Sequence, residues 1–302
     1  MAKLSDRILG ERVSGYVTKP NLLDNSNFQV TQRGTGPFSL GPAGNYGIDR
    51  WASVQNSTTH EQDNNSRQTY LSASRSTSSG IILIAQPIRF DQRAEEPFRA
   101  GTTFTLSWEQ NSDSQTGGGC RVSFAKDWLA ANFEDIYTAT AIKVCPANQW
   151  TRVTATFTLT NNAVDAGMDR VLVEVGAYDP TNIVPAGEKL RIRNVKLEEG
   201  NTFTGYEPTP YAIDEAECMK WLFVLDGNYP MYTITTTSDI RRTQVSHPKL
   251  YFSPTVTNVT TNLGTPSFQS SYSGLAHTTI NTDIGDTNSI AQLLSATISC
   301  EL

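Results

Sequence analysis

The chain has 302 residues, enough for one large or two ordinary domains, with 24 Lys and Arg against 30 Asp and Glu. Charged residues at 18%, with 21 Gly and 14 Pro, exclude bulk disorder. A net charge of −6 with no long basic run excludes the clustered Lys and Arg that a nucleic-acid partner demands.

The opening "MAKLSDRILGERV" lacks the apolar core of a signal peptide, and no stretch approaches a membrane span, so neither export nor membrane insertion is expected. Within it, residues 3–13 read as a marginal helix with Ser5 as cap and Ile8 and Leu9 on one side, weakened by Gly10. "NLLDNSNFQVTQRG" (21–34) follows, with Asn21, Asn25, Asn27 and Gln29 around short apolar pairs. Nothing in it is catalytic in type. In "YGIDRW", Asp49 and Arg50 are expected to pair while Trp51 packs inward.

Period-two patterning dominates what comes next. "GIILIAQPI" is a continuous apolar run, short enough for a strand buried on both faces. "TTFTLSWEQ" sets Phe104, Leu106 and Trp108 on one face, "VTATFTLT" alternates Val153, Ala155, Phe157 and Leu159 with threonines, and "RVLVEVGAY" aligns Val171, Val173, Val175 and Ala177. In "LRIRNVKL" the apolar parity shifts between Ile192 and Val195, which predicts a β-bulge near Asn194. Many strands between Gly, Asn, Asp and Pro turns, without alternating helices, give an all-β sandwich. "IDEAECMKWL" (213–222) reads as a short helix with acids early and a lysine late. The remainder, rich in Thr, Ser, Asn and Tyr, has the profile of a smaller β-domain.

Chemistry is sparse. His60, His247 and His277 are scattered, no cysteine pair has zinc-finger spacing, and there is no nucleophile elbow or phosphate-binding glycine loop. No enzyme activity, metal or cofactor is expected, and a glycosidase dyad has no positive support. Cys120, Cys145, Cys218 and Cys300 allow three pairings but read better as reduced, mostly buried thiols. The aromatic residues remain as binding candidates, because a ring offers broad apolar area to a pyranose. Trp108 is in phase with the core, whereas Trp128, in the turn-rich "AKDWLAANFED", is the better exposed candidate. Tyr229, Tyr232, Tyr251 and Tyr272 are candidates for rigid contact area, either toward a ligand or toward other copies of the chain.

"NLLDNSNFQV" resembles the first strand of carbohydrate-binding-module-like jelly rolls, in which Asn and Asp tie the incoming chain to the sandwich. With "YGIDRW", "FRAGTTFTLSWEQ", "NQWTRVTATFTL", "LRIRNVKLEEGNTFTGYEPTPYAIDEAECMKW", "SHPKLYFSPTVTNVT" and "ATISCEL" in shared order, the chain resembles phage virion proteins of the tail-fibre or receptor-binding type. That resemblance implies an N-terminal attachment arm (1–20), a jelly roll (21–206), a linker and short helix (207–222) and a distal β-domain (223–302). It further implies a non-enzymatic homotrimer, made in the host cytoplasm and carried on the virion. Such a protein joins other virion proteins through its arm and contacts host cell-surface polysaccharide, with the reader expected in 223–302. The alternatives are a head-decoration, head-fibre or baseplate protein without a receptor, and a free carbohydrate-binding module. Two departures stand out. Where such modules often carry Glu beside a structural calcium, this chain has Gln29, which lacks the charge a hard cation prefers. In the helix, Cys218 and Trp221 are kept but Met219 and Lys220 replace the Gln-Arg pair.

Overall fold

The computed structural model describes residues 18–40, 45–53, 58–63, 69–75, 78–89, 98–125, 133–160, 168 and 170–220, and, as backbone, seven strands between 222 and 299. Twelve strands build a jelly-roll sandwich: β1 (Phe38–Leu40), β2 (Asn45–Tyr46), β3 (Ala52–Ser53), β4 (Thr58–Asp63), β5 (Tyr70–Ser74), β6 (Ile82–Arg89), β7 (Thr103–Ser112), β8 (Thr116–Ala125), β9 (Phe133–Cys145), β10 (Thr151–Thr158), β11 (Arg170–Ala177) and β12 (Lys189–Glu199). One six-stranded sheet runs β1-β4-β5-β12-β7-β10 and the other β2-β3-β6-β11-β8-β9. Their pairings are antiparallel.

The core lies between the sheets and follows from the alternation. From the first sheet come Phe104, Leu106 and Trp108 opposite Phe157, Ala155 and Val153. The second sheet adds Ile82, Ile84, Val171, Val173, Val175, Val122 and Phe124. Phe104 and Phe157 stack with centroids 5.8 Å apart, and Trp108 is fully buried with Nε1 donating to Gln110 Oε1 at 2.9 Å. Each such side chain contributes about 1.5–3 kcal/mol by leaving water. β10 is half-buried, its outward Thr154, Thr156 and Thr158 exposed, whereas β11 is buried on both faces.

At Asn194 the register of β12 against β7 shifts between Arg193 and Lys196, and Asn194 has φ 53°. The extra residue restores parity: Leu190 and Ile192 before it, and Val195 and Leu197 after it, all reach the core. On the opposite face stand Lys189, Arg191 and Arg193, half-buried, then Lys196 and Glu198, both buried.

The segment 18–30 is sewn to the sandwich by its amides. Asn21 Oδ1 accepts from the Leu23 and Leu197 amides, and Asn21 Nδ2 donates to Val195 O. Asn25 donates to Val30 O and Asp49 O and accepts from Val30 N. Trp51 is buried as expected, its Nε1 on Asn25 O at 2.9 Å. In "YGIDRW", Arg50 meets Asp24 at 3.4 Å and Asp49 meets Arg33 at 3.4 Å, so the segment 24–33 supplies opposite charges to both.

Helix α1 (Tyr211–Cys218) starts two residues before the expected span and ends four before it. Pro210 holds the N-cap position, Asp214 lies in the first turn, and no basic residue lies in the last turn. Lys220 falls beyond the helix and pairs with Glu217, while Leu222 joins a strand. The smaller C-terminal β-part comprises β13 (Leu222–Pro230), β14 (Tyr232–Thr233), β15 (Ile240–Ser246), β16 (Thr255–Thr261), β17 (Ser271–Tyr272), β18 (His277–Asp283) and β19 (Gln292–Ser299). They form a sheet β13-β19-β16 and a sheet β14-β15-β18-β17. The predicted helix at 3–13 lies outside the described residues.

Candidate functional site

Two outward faces carry polar chemistry. On the second sheet, Glu174 is fully buried and held by Arg121 through both carboxylate oxygens, one of them at 2.9 Å. Burial pushes its carboxyl up, against the pull of Arg121. Leu83, Ala85, Ala52 and Leu172 on the same face are also buried, so this part of the sheet offers no open platform.

On the first sheet, one row runs across the strands. Glu109 of β7 sits opposite Arg193 of β12 and Arg152 of β10. Its carboxylate accepts from Arg152 Nη2 at 2.6 Å, Arg193 Nε at 2.7 Å and Asn194 Nδ2 at 3.1 Å. Burial alone would raise its pKa, but the Arg193 hydrogen bond and the charges of Arg152 and Arg193 outweigh it and hold the carboxyl below its usual range. Glu109 is therefore a fixed anion at neutral pH, unsuited to donate a proton. Each guanidinium also covers a ring: Arg193 lies 4.0 Å from the Trp150 centroid and Arg152 4.6 Å from that of Phe203. Tyr70 of β5 meets Trp150 edge-on at 5.6 Å. Trp150 is half-buried, as are Arg193 and Arg152. Toward the start of β12, Arg191 pairs with Asp113 at 2.7 Å and Lys189 with Glu61.

This face can present a pinned indole, two planar cations and one anion at the solvent boundary, with little rotamer freedom left to lose on binding. It cannot supply a nucleophile–base pair from these groups. Around Gln29, the side-chain amide ties the first segment to the start of the helix: Nε2 donates to Thr209 O at 2.9 Å and to Asp214 Oδ2 at 2.8 Å. Among the described residues, no group of His, Cys, Asp and Glu is arranged to hold a metal ion.

The residues singled out from sequence fall elsewhere. Trp128 and Tyr251 lie outside the described residues. Tyr229 stands on β13 opposite Leu293, Tyr232 on β14 opposite Arg242, and Tyr272 on β17 opposite Thr278. Tyr232 and Tyr272 thus occupy the two edge strands of one sheet, about 14 Å apart across it. Cys120, Cys145 and Cys218 are free and buried. Sequence reading missed Glu109, Arg152 and Arg193. Their signal was present as outward positions flanking Trp108, Val153 and Ile192, but only cross-strand register brings them together.

No protein-family model matches the chain, and no curated protein matches it by sequence. Among solved structures, one described as "CBM4 structure and function" is 14% identical with TM-score 0.35, covering 51% of this chain and 97% of its own. The CBM22-1 xylan-binding domain of Paenibacillus barcinonensis Xyn10C is 7% identical with TM-score 0.37, covering 63% and 99%. Tailspike protein 4 of bacteriophage CBA120, in its enzymatically active domain, is 15% identical with TM-score 0.36, covering 60% of this chain and 21% of its own.

Proposed function

We propose that the chain is a non-enzymatic component of a phage virion, a tail-fibre or tail-tip protein that works as a homotrimer and touches host-surface polysaccharide. The virion part rests on the ordered sequence resemblance. The glycan part is carried by one observation: Trp150, Arg193, Glu109 and Arg152 form a rigid aromatic and hydrogen-bonding row on the outward side of the first sheet. A pyranose takes an aromatic surface for its C–H face and fixed polar groups for its hydroxyls. The C-terminal tyrosines are the competing surface.

Titration of soluble protein against polysaccharide purified from the host envelope tests the reading. Trp150→Ala should weaken binding at least about tenfold, about 1.4 kcal/mol, with little change in melting. Unchanged binding by Trp150→Ala, together with loss on deleting 223–302, would move the contact to the C-terminal tyrosines. Absence of binding in all forms would favour a purely structural role on the head or baseplate.

A further inference from the structure

The row at Glu109 marks the limit of the open half of this face. Beyond it, toward the end of β12, the chain lies over its own sheet. Residues 201–204 sit between Gly200 (φ 114°) and Gly205 (φ 91°), conformations that favour glycine. The centre of this strap is Thr204. Its hydroxyl accepts from Lys196 Nζ and from the Lys19 amide, both at 2.9 Å, and donates to Glu198 Oε2. Its amide donates to Glu198 Oε1 at 2.9 Å. Lys196 and Glu198 are themselves 3.1 Å apart, with side chains 2% and 0% exposed.

One hydroxyl therefore has one acceptor and two donors around it, all fixed by the sheet and by the sewn segment at Lys19. That is the full hydrogen-bonding capacity of a hydroxyl. Beside this cage the strap leaves two groups unmet. Ser107, directly opposite Lys196 on β7 and 1% exposed, has no partner for its Oγ, and the Nη1 of Arg152 is buried without one. Buried polar atoms of this kind destabilise the fold when left unsatisfied. The strap thus fills the cage without satisfying its surroundings, which a ligand bearing several hydroxyls could do.

We infer that Thr204 is an internal stand-in for a ligand hydroxyl, and that Lys196, Glu198, Ser107 and Arg152 form a second sugar subsite covered by the 201–204 strap. This rests on the glycan reading of the Trp150 row, with which the subsite is continuous through Arg152. Binding would lift the strap about its flanking glycines, and polysaccharide hydroxyls would take over the contacts of Thr204. The strap's cost is part of the apparent affinity, so loosening it should tighten binding.

The test titrates host-envelope polysaccharide against the full-length wild type, Thr204→Val, Gly205→Ala and Trp150→Ala, and follows amide hydrogen exchange at Thr204. Thr204→Val removes the hydroxyl and keeps the shape. Gly205→Ala strains the strap backbone with no nearer atom than Thr18 Cγ2 at 3.8 Å; it removes no side chain of the cage and acts on the backbone whose carbonyl accepts from Lys196 Nζ at 2.7 Å. Both should bind about 5–10-fold more tightly than wild type, and polysaccharide should speed exchange at Thr204 in wild type. Tighter binding by Gly205→Ala alone still supports the strap if Thr204→Val proves unfolded by circular dichroism. Binding sensitive to Trp150→Ala but equal in both strap variants, with Thr204 exchange unchanged, overturns the subsite and leaves the glycan reading standing. No binding by any folded form overturns both.

Discussion

His60 makes the acid response of the fold calculable. It sits on β4 facing the core, fully buried, with neither ring nitrogen hydrogen-bonded, and burial lowers its pKa from 6.5 to about 3. Below pH 6.5 the unfolded chain takes up a proton that the native state refuses, so stability falls as pH drops, until the native histidine titrates near 3. At 1.36 kcal/mol per pH unit, the whole span amounts to about 5 kcal/mol. Asp214 acts in the opposite direction. Burial raises its carboxyl from 3.8 to about 6, against the Gln29 and Asn25 hydrogen bonds, so between pH 6 and 3.8 the native state binds the extra proton and gains stability. Within that window the two slopes cancel. The wild type should therefore change little between pH 6 and 4 from these two groups and lose stability more steeply below. Asp214→Asn removes the compensation and can still accept from Gln29. Its stability should fall by about 2.5 kcal/mol relative to wild type between pH 6 and 4, read by urea unfolding with tryptophan fluorescence. Adding His60→Asn should flatten that slope again. An Asp214→Asn curve parallel to wild type, or a double variant as steep as the single, would refute the assignment.

Phe157→Ala should open a core cavity against Phe104 and Tyr137 and cost about 3–5 kcal/mol in chemical unfolding. Thr156→Ala, on the exposed face, gives up a 3.3 Å hydroxyl contact with Thr105 and should cost less than about 1 kcal/mol. Equal losses would mean that the outward face of β10 is buried in an assembly. Light scattering should find a trimer at micromolar concentration, since the helix expected from sequence at 3–13 would be too short to be stable in water without a partner, and a folded monomer would count against the homotrimer.

Elements whose character is set by local alternation were legible in the sequence. Phe157 and Trp108 sit in the core because period two leaves them no other face, and the parity break at Asn194 announced its bulge before any coordinates. What depends on register or long-range partners was not legible. Arg50 meets Asp24 from the segment sewn beside it, and Glu109 gathers Arg152 and Arg193 from two strands far along the chain. Helix α1 ends at Cys218, and Leu222 instead pairs with Ser299 some eighty residues on, a partner invisible in a ten-residue window. Gln29 illustrates the converse. The sequence showed that it lacks charge, and only the fold showed that its amide is required as a donor to Asp214.

The amide stitching of residues 18–29 has a practical side. Leu22 donates to Leu197 O, Thr18 to Glu207, Ser26 meets Tyr206 and Gln29 reaches Thr209, so the two chain ends of the sandwich leave it side by side. A module with adjacent ends can be spliced into a surface loop of another protein without prising that loop apart.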